Sequence, residues 1–267
     1  MKTVILDIEK LNEGDCIELF LKSTNYNVSM SISDRTDAAF LVTDKRLSAD
    51  IALRLGIGFS VYLNGENDAS DFKDALYCID NISTMSDDTL LKMYQRFNNI
   101  PWTILETDRC IVREITVEDV DRLYEIYADE DVKRYIEDLY SDKEKEIEHT
   151  INYITHQYRF YEYGLWVVIS KETNELIGRA GIFDRDKQDA TELGFVFEKN
   201  SWGKGIATEV LSAIMNYARE ELDIKKLYAH ADKDNIRSKK LLEKLGFTQT
   251  ISVMIDEKSY ERFESNI

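Results

Sequence analysis

The chain has 267 residues, with 51 acidic against 34 basic side chains, a net charge of −17, 43% hydrophobic and 11% aromatic residues. That composition can fill one large or two modest cores, and its acidity excludes nucleic acid and an anionic membrane as natural partners. Three scattered cysteines (Cys16, Cys78 and Cys110) with no CxxC spacing argue against a disulfide framework or a zinc site, so no metal is expected. The N-terminus turns acidic before an apolar stretch of leader length is complete, and no apolar run approaches the roughly 18 residues of a membrane span. A cytoplasmic protein is the expectation.

In chain order, residues 3–8, 38–43, 59–63 and 75–79 read as short strands, and 13–24 and 47–55 as helices. In the second helix Leu47, Ile51, Ala52 and Leu55 recur at helical spacing, and Gly56 stands where a left-handed C-cap residue belongs. Strand and helix alternation implies a small Rossmann-like α/β domain with a parallel layer over residues 1–100. Residues 38–44, the helix after them and 56–63 loosely resemble part of a haloacid-dehalogenase-like core. The DxDx(T/V) nucleophile motif of that family is missing, because Asp7 is followed by Ile8 and Glu9. A non-catalytic domain for regulation, acceptor recognition or dimerisation is therefore expected here.

Residues 87–97 read as a helix, and the single proline, Pro101, then disfavours helix at Ile100. A domain boundary is placed at 98–108, as a connector packed through Trp102 and Ile104. Beyond it come a strand at 111–115, a helix at 117–127 and a long helix at 144–161. Strands follow at 165–170, 176–183 and 192–197. A strongly patterned helix at 206–222 precedes a strand at 226–231, a helix at 238–245 and closing strands at 251–255 and 260–263.

The chemistry concentrates at 192–208. A strand, Glu192 to Phe197, runs through Trp202-Gly203-Lys204-Gly205 into the helix that opens with Ile206, Ala207 and Thr208. Two glycines let backbone approach a partner closely, and the first N–H groups of a helix have no acceptor of their own. With the helix dipole they suit a pyrophosphate. The turn is neither a Walker A loop, lacking the GK(S/T) ending, nor a dinucleotide fingerprint, lacking a third glycine.

The order of elements around this turn resembles the GNAT superfamily of N-acetyltransferases, especially the branch of ribosomal-protein N-terminal acetyltransferases. The pyrophosphate motif Q/R-x-x-G-x-G/A aligns with residues 202–207. Gly205 and Ala207 match its fourth and sixth positions, and Trp202 departs from its first. Asn235-Ile-Arg-Ser238 followed by a run ending in Gly246-Phe247 resembles a second family signature, and Arg109 to Arg113 its first strand. The resemblance covers residues 108–267.

It implies a mixed, mostly antiparallel sheet flanked by helices, whose fourth and fifth strands splay beyond a β-bulge to admit acetyl-CoA. Contacts to that cofactor are implied for Phe195, Val196, Phe197, Trp202, Gly203, Lys204, Gly205, Ile206, Ala207, Thr208, Asn235 and Ser238. Asn235 also reads as an N-cap. The implied reaction is direct transfer of acetyl to a primary amine, with Glu192 as candidate general base. No tyrosine follows the fifth strand, so Ser238 and, more weakly, Tyr260 are the candidates to protonate the leaving thiolate. His149, His156 and His230 lack carboxylates at metal spacing and read as solvated or packing residues. The cluster Tyr153, Tyr158, Phe160, Tyr161, Tyr163 and Trp166 reads as core that borders the acceptor site. A small-molecule amine or a protein N-terminus would be the acceptor, the acidity favouring a polycation. A homodimer fits too. The rival readings are an acyl-CoA-binding sensor without turnover, and a bifunctional protein with an N-terminal phosphate-ester hydrolase.

Overall fold

The computed structural model describes residues 1–267 except 33–37, 73, 137–138, 185–190 and 256–257. It divides into two compact units, Met1–Trp102 and Thr103–Ile267.

The first unit holds five strands, β1 (Thr3–Asp7), β2 (Asn27–Ser29), β3 (Ala39–Thr43), β4 (Gly58–Tyr62) and β5 (Cys78–Ile79), in the order β2-β1-β3-β4-β5. Every pairing among them is parallel. Its helices are α1 (Ile17–Ser23), α2 (Arg46–Leu55) and α3 (Asp87–Phe97). Because both faces of a parallel sheet are covered, its strands are apolar at successive positions. Val4, Leu6, Phe40 and Val42 pack with Phe20 of α1 and Leu90 and Met93 of α3. Ile5, Leu41, Phe59 and Val61 pack on the other face with Ala49 and Ala52 of α2.

That packing corrects one position of the expected face of α2. Ser48, Ala49 and Ala52 are its buried residues, whereas Leu47 is 72% exposed. Small side chains let the helix backbone approach the sheet, and Leu53 and Leu55 pack at the margin of the same core. Gly56 does adopt the left-handed conformation, φ 67°, as the cap position requires.

The second unit holds β6 (Thr103–Glu106), β7 (Cys110–Arg113), β8 (Leu165–Ser170), β9 (Leu176–Phe183), β10 (Thr191–Phe197), β11 (Lys226–Asp232), β12 (Thr248–Ile255) and β13 (Lys258–Asn266). They form one sheet in the order β12-β13-β11-β10-β9-β8-β7-β6. All neighbours are antiparallel except β10 and β11. Residues 103–106, expected as connector, are thus an edge strand, while Trp102 packs back on α3 through its Nε1–H to the Lys92 carbonyl at 3.0 Å.

The helices of this unit are α4 (Val120–Tyr127), α5 (Glu130–Lys133), α6 (Lys143–Tyr153), α7 (Arg159–Tyr161), α8 (Ile206–Glu220) and α9 (Ile236–Lys244). The expected single helix over 144–161 is instead interrupted by a π-helical turn, Ile154–Tyr158. Residues five apart stand about 140° apart on an α-helix but only about 50° apart on a π turn. The wider turn brings Tyr153 and Tyr158 together, with ring centroids 5.2 Å apart. Tyr153 Oη then accepts the Leu165 N–H at 2.7 Å, and the Tyr158 hydroxyl donates to the Leu165 carbonyl. Both tyrosines fix the backbone where β8 begins.

Candidate functional site

Antiparallel partners share a face, so the β9–β10 register sorts the side chains. Glu192 pairs Phe183, Gly194 pairs Gly181 and Val196 pairs Arg179. Glu192 also pairs Tyr228 of β11, which puts His230 and Asp232 on the same face, and Asp232 pairs Tyr260 of β13. Trp166 and Ala180 point the other way, toward α8, where Trp166 meets Tyr217 edge-on at 5.7 Å.

The strands β10 and β11 pair only at Thr191–Leu227 and Glu192–Tyr228, although β10 continues to Phe197 and β11 to Asp232. Beyond Glu192 they diverge. The expected bulge is not what parts them, because β10 keeps unbroken register with β9 from Glu192 to Phe197. The fork arises between the two strands themselves.

A cavity of about 610 Å³ occupies the fork and the mouth of α8. Of the residues expected to hold the cofactor, it is lined by Phe195, Val196, Phe197, Trp202, Gly203, Gly205, Ala207, Thr208, Asn235 and Ser238. Lys204 and Ile206 are not among its lining residues. The Lys204 carbonyl is turned to Arg109 and accepts from Nη1 at 2.9 Å. Gly203 and Gly205 have φ of 73° and 79°, in the left-handed region that favours glycine. Glu209 N–H to the Gly205 carbonyl is the first bond of α8, which leaves the amides of 206–208 ahead of the intrahelical ladder.

Arg109 locks this turn from outside. Its main-chain N–H donates to Glu209 Oε1 at 3.0 Å, and its guanidinium lies 2.6 Å from Glu209 Oε2. Burial raises the Glu209 carboxyl, but hydrogen bonds from Thr107 and Arg109 and the Arg109 charge outweigh it and hold the group below the usual carboxylate range. On the opposite rim the Arg237 guanidinium stacks 3.8 Å from the Trp202 ring centroid. Asn235 caps α9, its side chain accepting the Ser238 N–H at 3.1 Å.

A second cavity, about 470 Å³, opens on the Glu192 face of the sheet. It shares Tyr135, Ile136, Phe195, Val196, Asn235 and Ser238 with the first. Glu192 and Tyr260 line it, so the three catalytic candidates are brought to one place, Ser238 at the junction. Glu192 is only 4% exposed, and His230 Nδ1 lies 3.1 Å from its Oε1. The expected solvated or packing histidine is therefore a buried partner of the candidate base. His149, Glu146 and Tyr153 line the opposite wall, whereas His156 is exposed and lines neither cavity. Burial pushes the Tyr153 phenol above its ordinary value. Of the aromatic cluster only Tyr153 borders this cavity. Tyr158 and Trp166 are buried in the core, and Phe160 is 79% exposed.

The fold places Asp7, in the first unit, at the end of β1, where its oxygens meet Lys45 Nζ at 2.7 Å and Ser48 Oγ at 2.6 Å. Among the described residues there is no group of three or more His, Cys, Asp or Glu side chains that could hold a metal ion, and no helix long and apolar enough to cross a membrane.

A family model described as the acetyltransferase (GNAT) domain matches residues 109–248. Over 150 residues the chain is 33% identical to YoaA of Bacillus subtilis strain 168, described as an uncharacterized N-acetyltransferase; the match spans 54% of this chain and 82% of the relative. The solved ribosomal-protein-S5-alanine acetyltransferase of Vibrio fischeri superposes with a TM-score of 0.52 at 15% identity, covering 61% of this chain and 95% of that one. A SpeG spermidine N-acetyltransferase variant from Vibrio cholerae superposes with a TM-score of 0.50 at 17% identity, covering 60% and 95%. At these identities the structural likeness speaks for the fold alone. The first hundred residues lie outside the family match, and their haloacid-dehalogenase likeness finds no support in these comparisons.

Proposed function

The chain belongs to the GNAT acetyltransferase family through residues 109–248, and from that premise we propose that it moves acetyl from acetyl-CoA to a primary amine by direct attack on the thioester. The observation that carries this reading is the junction of the two cavities. One runs from the glycine turn into the fork, the other ends on the buried Glu192–His230 pair, and both are bounded by Phe195, Val196 and Ser238. A donor and an acceptor entering from opposite sides would meet there.

The residues fit the diphosphate and its pantetheine arm. Amides of 206–208 and the positive end of α8 would hold the diphosphate, the left-handed Gly203 and Gly205 keeping side chains out of its way. The arm would lie in the fork, where β10 beyond Glu192 has no pairing with β11. When bound, the thioester supplies an activated acyl carbon.

The acceptor arrives as an ammonium, which has no lone pair to attack with. Glu192, oriented by His230, would take the first proton, directly or through water. The nitrogen then attacks the carbonyl carbon, the C–N bond forms as the C–S bond breaks, and the nitrogen passes its second proton to solvent, which in turn restores the group that protonates the sulfur. The sulfur leaves as a thiolate and takes a proton from Ser238 or Tyr260. Thiol release over a panel of amines, with acetyl-CoA binding measured in parallel, tests the reading. Association with acetyl-CoA without thiol release from any amine would make the protein a sensor.

A further inference from the structure

The acceptor cavity is lined by three carboxylates, Glu146, Glu192 and Asp232, and by one guanidinium, Arg179. Each carboxylate has a hydrogen-bond partner. Glu146 Oε2 accepts the Tyr140 N–H at 3.0 Å, Glu192 holds His230, and Asp232 Oδ1 accepts the Asp234 N–H at 2.8 Å. Arg179 differs. Its Nε is buried with no hydrogen-bond partner, and among the described residues no carboxylate forms an ion pair with it. Arg179 lines the same cavity as Tyr153.

A buried guanidinium nitrogen without an acceptor is costly, and an acid group on the substrate that met the guanidinium would offset that cost. We propose, building on the acetyl-transfer reading above, that the acceptor is an amine that also carries a carboxylate or phosphate, and that Arg179 binds this acid group while the amine lies at Glu192. Arg179 stands opposite Val196, four positions along β10 from Glu192, so an acceptor with its acid and amine on different carbons fits the two groups. Gly194 lies between them on the same face, with the Phe183 ring packed against it. The chain's overall acidity favours cations at long range. The contact chemistry inside the cavity selects a single negative group.

The test uses the full chain and two matched pairs, γ-aminobutyrate with its amide and O-phosphoethanolamine with ethanolamine, which separate a carboxylate from a phosphate source. Each is titrated by calorimetry, with and without acetyl-CoA, and assayed for thiol release. At least one anionic member should bind tenfold or more tighter than its neutral twin. Arg179→Gln should erase that preference through the KM of the anionic member, and Arg179→Lys should restore part of it. Equal binding within both pairs, or a preference untouched by Arg179→Gln in a chain of unchanged melting temperature, overturns the proposal. Acetylation without anion preference would leave acetyl transfer standing and remove this inference. Arg179-dependent anion binding with no thiol release would do the reverse.

Discussion

Glu192 and His230 come from neighbouring strands that pair for only two residues before they separate, and their 3.1 Å contact sits where the separation begins. The two side chains close the fork at its narrow end, so the candidate base lies where donor and acceptor cavities join.

Replacing either member should therefore slow chemistry more than it weakens donor binding. Glu192→Gln and His230→Asn are each expected to lower kcat by about 10²–10³, within the usual range for general-base catalysis. The Kd for acetyl-CoA, measured by calorimetry, should change by less than about threefold, well under the 1.4 kcal/mol of a tenfold effect.

Gly205→Val should divide the effects the other way. A β-branched residue at φ 79° is strained by about 1–3 kcal/mol, and relief would turn the amides of 206–208 away from the cavity. Acetyl-CoA binding should weaken at least tenfold in the same titration. Equal losses for Gly205→Val and Glu192→Gln would contradict this division of labour.

Gly181→Ala should act on stability. An added Cβ would lie 2.0 Å from the Gly164 carbonyl oxygen, a main-chain atom with no rotamer to yield. A loss of about 3 kcal/mol is expected from such overpacking, read as a lowered urea midpoint. At Gly194 the nearest obstacle is the Phe183 ring at 2.7 Å, and a side chain can shift. Gly194→Ala should fold and show its effect in the acceptor KM.

The Asp7 carboxyl gives a pH signature in the first unit. Burial raises it, but hydrogen bonds from Lys45 and Ser48 and the Lys45 charge outweigh burial and hold it below its ordinary value. A depressed carboxylate contributes stability that is present above the unfolded value, about 3.9, and lost as pH falls through the folded one. The melting difference between the wild type and Asp7→Asn should be constant above about pH 5 and shrink below pH 4, by about 1 pH unit either side of that value. A difference that grows on acidification would reverse the assigned sign.

Much of this fold is legible in the sequence where local rules act alone. Helix α3 is readable because its apolar residues recur at helical spacing and Pro101 disfavours helix just beyond it, and β8 and β9 because apolar runs end in polar turns. The glycine turn is readable because its chemistry lies in consecutive residues. Long-range register is not. His230 reads as a packing or solvated residue until β11 is known to lie beside β10, and Arg179 reads as one more charged residue until its position opposite Val196 is fixed. The π turn is hidden for a related reason. Tyr153 and Tyr158 demand it only because both reach for the backbone of Leu165, a partner outside their own helix. Short edge strands such as β2 and β6 carry too few residues for their alternation to be seen.

With only two residue pairs joining β10 to β11, the eight-stranded sheet is mechanically a pair of ribbons stitched at one corner. The main-chain groups of β10 past Glu192 that look toward β11 have no strand to bond, so whatever enters the gap completes the ladder in place of a strand. Amide exchange along residues 193–197 should accordingly slow when the gap is filled, and the loaded sheet should resist shear between its halves that the empty one permits.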